Sequence, residues 1–239
     1  DMVSRIASKE GNIVRVVVNH GARLAGEIAA ARLKHNTVKT VVVASSLKLA
    51  KEVVALLQAD YNIDLKSGNT VVDLRLDVGA GARRSTKKFK SRVMKGIKRL
   101  QKTKCFAKKC HKAKILIRTG SEASWRYGVE AYGATDRTLD NLRSATAAAT
   151  GMGGVQACPV TTVLLEIGVE GDPLTVATCS SLTWWIENWV KSPSLRTLLQ
   201  KTWETTKKMV LVNNCPSWAK VCGPLGTAIA NLARIHWNL

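Results

Sequence analysis

The stretch that decides the fold runs from Arg83 to Arg118 and reads RRSTKKFKSRVMKGIKRLQKTKCFAKKCHKAKILIR. Sixteen of its positions are Lys or Arg, and no acidic residue occurs between Val78 and Ser121. Val93, Ile97 and Leu100 stand at i, i+4 and i+7, which is the spacing of one apolar helix face. The stretch therefore predicts a helix that packs by one face and carries cations around the others.

The residues before this stretch predict a small mixed α/β region. The apolar spacing over Ile13–Leu33 is compatible with a helix, although Val16–Val18 is also strand-like. Val38–Ala44 is rich in β-branched residues and predicts a buried strand. Asn69–Val78 alternates apolar and polar residues from Val72 onward and predicts a further strand, ended by Gly79–Gly81. Between them a helix is expected, capped by Ser45 or Ser46, with an apolar face formed by Leu49, Val53, Leu56 and Leu57.

Helices are predicted for most of the chain beyond Arg83. We expect a second helix over Phe106–Ile117, and a third with Asp136 as its N-cap that ends at Gly151–Gly154. The chain from Val160 onward is also expected to be helical, with prolines between its helices. The predicted class is α+β: a mixed α/β region at 1–80, a basic helical region at 81–155 and a helical C-terminal region at 156–239.

The charge of the chain indicates a polyanionic partner. Lys and Arg number 37 against 17 Asp and Glu, which gives a formal net charge of +20. A solvated helix face normally carries acids that pair with cations one turn away, and this run has none. We therefore expect nucleic acid as the partner, bound through its phosphates. The expected phosphate contacts are Arg83, Arg84, Lys87, Lys88, Lys90, Arg92, Lys95, Lys98, Arg99 and Lys102.

The same composition argues against two other settings. No apolar run approaches the length needed to span a bilayer, so a membrane partner is not expected. The chain shows no secretory signal at its start, and its six cysteines form no tight framework, so we expect reduced thiols and an intracellular location, nucleus or cytoplasm.

Chemistry-bearing motifs are sparse. Cys105, Cys110 and His111 offer three soft ligands for a metal, with Cys215 and Cys222 as distant additions, but packing cysteines are the favoured interpretation. Neither a Gly-x-Ser-x-Gly nor a Walker-type loop is present, and the histidines stand in no local motif. The tryptophans are expected in the core, with base stacking as the alternative. We therefore predict no metal site and no cofactor in this chain.

Several short segments follow one another in a definite order. They are Ala22–Lys34, the VKTVVVASS of Val38–Ser46, the DLRLDVGAG of Asp73–Gly81, the WRYGVE of Trp125–Glu130, and the closing Gly223–Gly226 and Leu232–Trp237. In this order they resemble the second half of a non-LTR retrotransposon reverse transcriptase. The resemblance assigns Ala22–Lys34 to the helix after the aspartate-pair box. It assigns Val38–Ser46 to the K-(S/T)-V-V-(L/V)-A-S strand and Asp73–Gly81 to the LGVDF-x-AG stretch. Trp125–Glu130 is similar to the LYGAE block, and Gly223–Gly226 with Leu232–Trp237 is similar to the tail of some mobile-element polymerases.

The resemblance implies the end of a palm followed by a thumb that grips a template–primer duplex, RNA or RNA–DNA. A complete polymerase of this kind would use Mg²⁺, but no Tyr-x-Asp-Asp box occurs in the sequence. Asp1 is a candidate for the last aspartate of such a box, with Met2–Ala7 as the returning strand. We expect the chain alone to be catalytically inactive, with the N-terminal half of the polymerase as a further partner. The alternatives are a non-enzymatic RNA-binding protein of a ribonucleoprotein, a degenerate element copy, and a small metal-dependent nucleic-acid enzyme built around Cys105, Cys110 and His111.

Overall fold

The computed structural model describes residues 13–33, 36, 40–73, 76–79, 83–152 and 157–237. The chain divides into two compact units, Asp1–Ser85 and Thr86–Leu239. The single division falls next to the start of the basic helix, where a boundary at 80/81 is predicted. The basic region predicted at 81–155 and the C-terminal region predicted at 156–239 share one unit from Thr86 onward. Asp1, the candidate polymerase aspartate, lies outside the described residues.

The first unit combines two helices with two small sheets. Its elements are α1 (Ile13–Ala30), β1 (Val41–Val43), α2 (Leu47–Tyr61), β2 (Lys66–Gly68), β3 (Thr70–Asp73) and β4 (Leu76–Gly79). β1 and β2 pair in parallel, and β3 and β4 form an antiparallel pair. The core between the helices consists of buried Val18, Val53 and Leu57. Ser46 caps α2 by accepting a hydrogen bond from the Leu49 N–H at 3.2 Å, which confirms the predicted cap.

Three details of the first unit correct the sequence predictions. The strand predicted over Asn69–Val78 is instead the β3–β4 pair, in which Val72 lies opposite Asp77. Val72 is exposed and Asp77 is buried, the reverse of what the alternation predicts. Because the two residues lie directly opposite each other, the pairing places them on one face, whereas a single strand would place them on opposite faces. In α2, Leu56 is exposed, and Ala50 is the buried residue one turn before Val53. The segment Ile13–Leu33, compatible with either a helix or a strand in the sequence, forms a helix that ends at Ala30.

The second unit is built from helices, with one short strand pair. After α3 (Lys87–Ala107) come a 3-10 turn (His111–Lys114), a π-helix (Ile117–Glu122), α4 (Ala123–Trp125), α5 (Val129–Tyr132), α6 (Asp136–Ala149) and α7 (Pro159–Glu166). A second 3-10 turn (Val169–Gly171) leads to α8 (Pro173–Lys191), α9 (Pro193–Val210), β5 (Leu211–Val212), β6 (Cys215–Pro216) and α10 (Gly223–Arg234). Proline stands at the first turn of α7, α8, α9 and α10, where its missing N–H has no helical partner to lose.

The core of the second unit gathers side chains from α3, α4, α5, α6 and α8. Its buried members are Phe89, Val93, Trp125, Val129, Ala134, Leu139, Leu142, Val176 and Ala177. A neighbouring cluster places Leu100 of α3 with Ile117 and Ala149. A third, around Val210, Val221, Ile229 and Ala230, joins the end of α9 to α10. The apolar face predicted for the basic stretch is therefore confirmed: Val93 and Leu100 are buried and Ile97 packs beside them.

The helix predicted over Phe106–Ile117 is wrong. α3 continues to Ala107, Cys110 adopts an extended conformation, and the chain resumes as a 3-10 turn and then a π-helix. Tertiary packing explains the break, because Ile117 must reach the cluster around Leu100. The third helix is confirmed, but Thr135 and not Asp136 is its N-cap: the Thr135 hydroxyl accepts from the Thr138 N–H at 3.2 Å. Asp136 instead pairs with Arg234 of α10 at 2.8 Å.

Candidate nucleic-acid interface

The inner face of α3 fixes the helix to the rest of its unit. Phe89, Val93, Gly96, Leu100 and Thr103 are buried along it, at spacings of three and four residues. That spacing is one face of a helix with 3.6 residues per turn. None of the basic residues of α3 lies on this face: Arg92 is half-buried and the others are exposed.

Gly96 sets how closely the π-helix approaches α3. The Ser121 hydroxyl donates a hydrogen bond to the Gly96 carbonyl at 3.0 Å, in a buried position. A Cβ atom at Gly96 would stand 3.1 Å from both Ser124 Oγ and Trp125 Cδ1. The crossing is therefore filled by backbone and small side chains, and a larger residue would push the two segments apart.

The outward side of α3 carries a line of exposed lysines. Lys88, Lys95 and Lys102 are spaced by seven residues, and Lys87 and Lys98 lie beside them. We call these five the outer basic face. At a rise of about 1.5 Å per residue it extends roughly 22 Å along the helix. Within the described part of the chain, no hydrogen bond or ion pair involves the amines of Lys95, Lys98 and Lys102.

Two predicted phosphate contacts also hold α3 to the segment that follows it. Arg92 donates to the Tyr127 carbonyl, and its guanidinium lies 5.0 Å from the centroid of the Tyr127 ring. Arg99 donates to the Gly120 carbonyl at 2.6 Å. A guanidinium has five N–H donors, so each arginine keeps donors beyond the bond to its carbonyl. Arg92 and Arg99 thus hold α3 to the following segment and also lie beside the outer basic face.

The other predicted contacts are distributed differently. Arg83 is exposed and Arg84 half-buried, and both belong to the first unit. Lys90 lies on the opposite flank of α3 from Arg92 and Arg99, together with exposed Lys104. The helical spacing in the sequence already places these residues on different sides of α3. Which side faces solvent follows only once the buried face is known.

The second half of the basic run is partly neutralised. Lys114 is half-buried and pairs with Glu166 of α7, and Arg118 pairs with Glu170 at 3.1 Å. Both acids lie about fifty residues further along the chain, so the sequence run gives no sign of them. The uncompensated charge is therefore concentrated on α3 rather than spread evenly to Arg118.

Seven ion pairs of the second unit use cations outside α3. The unit has 24 Lys and Arg against nine Asp and Glu, a surplus of 15 of the chain's 20 charges. Among the described residues, these pairs are Lys114–Glu166, Arg118–Glu170, Arg126–Glu122, Arg143–Asp140, Arg143–Asp172, Lys191–Glu187 and Arg234–Asp136. Each uses a cation outside α3. The arrangement leaves a strong positive potential along the outer basic face.

The tryptophans mostly pack inside the second unit. Trp125 is buried, and Trp185 lies 5.5 Å from Trp189 and 5.6 Å from Trp203 between ring centroids. Trp218 lies beneath the Arg234 guanidinium, 4.3 Å from it. Burial lowers the pKa of Arg234, and its pairing with Asp136 opposes that effect. These contacts give five of the tryptophans structural partners, whereas Trp184 and Trp237 are exposed, so the core interpretation is confirmed only in part.

The cysteines are free and exposed, including Cys105 and Cys110 of the possible metal site. The His111 side chain lies outside the described part of the molecule. Among the side chains that are described, no group of three or more His, Cys, Asp or Glu is placed to hold a metal ion.

No protein-family model, curated protein or solved structure matches this chain. Across the described ranges, none of the helices combines the length and the apolar character needed to cross a bilayer.

Proposed function

We propose that this chain binds nucleic acid by laying the outer basic face of α3 along a phosphate backbone. The observation that carries the proposal is the line of exposed lysines on a helix without acids, in a unit whose ion-paired carboxylates use cations elsewhere. Each phosphate that a lysine neutralises releases condensed counterions, which favours binding at low salt. Contacts of this kind position a duplex or a strand but read no bases.

The test is a salt series with charge-matched variants. Wild-type protein should bind an RNA–DNA hybrid with an affinity that falls steeply as salt rises. The triple variant Lys95→Gln/Lys98→Gln/Lys102→Gln should bind more weakly and show a slope of log affinity against log salt reduced by about 3, roughly one per lost phosphate contact.

The control removes three charges from the same unit outside α3. Lys201, Lys208 and Lys220 are exposed, so Lys201→Gln/Lys208→Gln/Lys220→Gln changes net charge equally. The control should keep the wild-type slope. If both triple variants lose the same slope, binding follows net charge alone and the proposed face is refuted. If wild-type binding is weak and insensitive to salt, the nucleic-acid proposal fails.

We further propose that the outer basic face belongs to the thumb of a reverse transcriptase and binds a template–primer duplex. Support comes from the ordered segments that resemble a non-LTR retrotransposon polymerase and from the basic helix that follows a small α/β unit. The same binding assay tests this proposal with RNA–DNA hybrid, double-stranded DNA and single-stranded RNA. A preference for the hybrid supports a thumb, whereas equal binding or a preference for single strands favours an RNA-binding protein of a ribonucleoprotein.

A further inference from the structure

One aromatic side chain stands in the open among the cations of α3. Phe106 is 60% exposed, next to the C-terminal end of the helix. A phenyl ring is normally among the most thoroughly buried side chains, because leaving it in water forgoes a large hydrophobic contribution. In the part of the chain that the structure describes, neither another aromatic ring nor a cation lies against it. The fold of this unit therefore gives no reason for an aromatic residue at this position.

The position of Phe106 continues the outer basic face. It follows Lys88 by eighteen residues, which is five full helical turns, so the two side chains leave the helix in nearly the same direction. It follows Lys102 by four residues, a separation of about one turn. Exposed Lys109 comes three residues later. A strand that followed the lysines along α3 would thus reach Phe106 at the end of its path.

We propose that Phe106 is a stacking platform for an unpaired nucleobase, at the end of the phosphate path along the outer basic face. The inference rests on the proposed function and names its substrate class: a nucleic acid with a single-stranded segment, not a duplex alone. Proteins that hold single strands combine a basic track for the backbone with aromatic rings on which bases stack. Every base has a π-face, so such a platform gives affinity without sequence preference.

The surrounding charge favours a base over an apolar protein partner. Lys102 and Lys109 are exposed about one turn before and after the ring, and α3 contributes no acid. An apolar partner covering Phe106 would have to desolvate these amines without compensating them. A nucleotide compensates them with its own phosphate while its base covers the ring.

The experiment compares two oligomers with equal numbers of phosphates: a short oligouridylate and an abasic ribose–phosphate oligomer. Phe106→Leu keeps an apolar side chain and removes the π-face, and Phe106→Trp keeps an aromatic platform.

Stacking on an aromatic residue contributes about 1–3 kcal/mol per base, so Phe106→Leu should weaken oligouridylate binding roughly 5-fold or more. Affinity for the abasic oligomer and the salt slope should not change, and Phe106→Trp should restore oligouridylate binding. Met94→Ala, at an exposed apolar position elsewhere on α3, is the matched control and should behave as wild type.

The outcomes separate this inference from the function it rests on. If wild-type protein binds both oligomers equally with a steep salt slope, the phosphate grip stands and the platform is refuted. Equal losses on both oligomers in Phe106→Leu, or no loss on either, refute the platform as well. Binding of neither oligomer in a salt-dependent way removes the proposed function itself. If Phe106→Leu abolishes binding to phosphatidylserine vesicles but leaves oligouridylate binding intact, the ring serves a membrane surface and the inference falls.

Discussion

A buried ion pair between α6 and α8 offers the sharpest test of the second unit's packing. Arg143 makes two parallel hydrogen bonds to Asp172, with N–O distances of 2.6 and 2.7 Å. The side chains retain 13% and 3% of their exposure. The Asp172 carboxylate also caps α8 by accepting from the Thr175 N–H at 3.1 Å. Replacing Arg143 with Met keeps an unbranched apolar stem but leaves this carboxylate buried without its cation.

The expected cost follows from the burial of the partner. Removing one member of a buried pair costs about 3–5 kcal/mol, because the remaining charge is no longer compensated. Since Arg143 keeps some contact with water and Thr175 still donates to Asp172, we expect the lower end, about 3 kcal/mol. For a unit of this size, 1 kcal/mol corresponds to roughly 2–4 °C in Tm. Arg143→Met should therefore melt roughly 6–12 °C below wild type at neutral pH.

Tryptophan fluorescence is the appropriate assay, since all seven tryptophans lie in the second unit. Arg137→Met, an exposed position on the same helix, is the matched control and should melt within about 1 °C of wild type, as surface substitutions usually do. A Tm for Arg143→Met that equals that of the control would refute the reasoning, because the pair would then contribute nothing to stability.

The pH dependence of the same pair has a definite sign. Burial raises the pKa of Asp172, but the hydrogen bonds from Arg143 and from Thr175 outweigh it, so the pKa lies below its ordinary value of 3.8. A lowered pKa means that the contribution to stability is complete above that ordinary value and is lost as the pH falls through the folded value. The difference in Tm between wild type and Arg143→Met should therefore hold from neutral pH to about pH 5. It should shrink in more acidic solution, and a difference that grows there would contradict the assignment.

Two further predictions concern the approach to α3 and the reactivity of one thiol. Gly96→Val should lower the free energy of unfolding, measured in urea, by about 1–3 kcal/mol, because the valine side chain would collide with Ser124 and Trp125. Ser91→Val, on the exposed side of α3, is the control and should leave the free energy of unfolding unchanged. Equal urea midpoints for the two variants would refute the prediction. The pKa of the Cys158 thiol is lowered, first by the Thr161 backbone N–H and then by the Thr161 hydroxyl, so more of it is thiolate near neutral pH. All six cysteines are exposed, so Cys158 should react first with iodoacetamide in a mass-spectrometric time course, and faster labelling of Cys179 or Cys215 would count against it.

Local pattern was sufficient to predict α2 and its Ser46 cap, the apolar face of α3 and the helix α6. In each case the information lies within a few residues: a hydroxyl that reaches the first free N–H groups, or apolar residues repeating every three or four positions. The surplus of positive charge on the same stretch was equally visible, because charge is a property of composition.

Pairings between distant residues were not predictable in this way. The β3–β4 pair places Val72 and Asp77 on one face, whereas alternation along a single strand would separate them. The π-helix and the break before it depend on Ile117 reaching the cluster around Leu100. The spacing of apolar residues within the segment does not reveal that contact.

The sequence by itself determined that a basic helix exists and that it packs by the face containing Val93 and Leu100. Only the tertiary structure decided which of its cations are available. Glu166 and Glu170 reach back to neutralise Lys114 and Arg118, while Lys95, Lys98 and Lys102 remain exposed. The physical reason is that Coulomb interactions act through space, so a carboxylate fifty residues away in the chain can be the nearest charge in the fold.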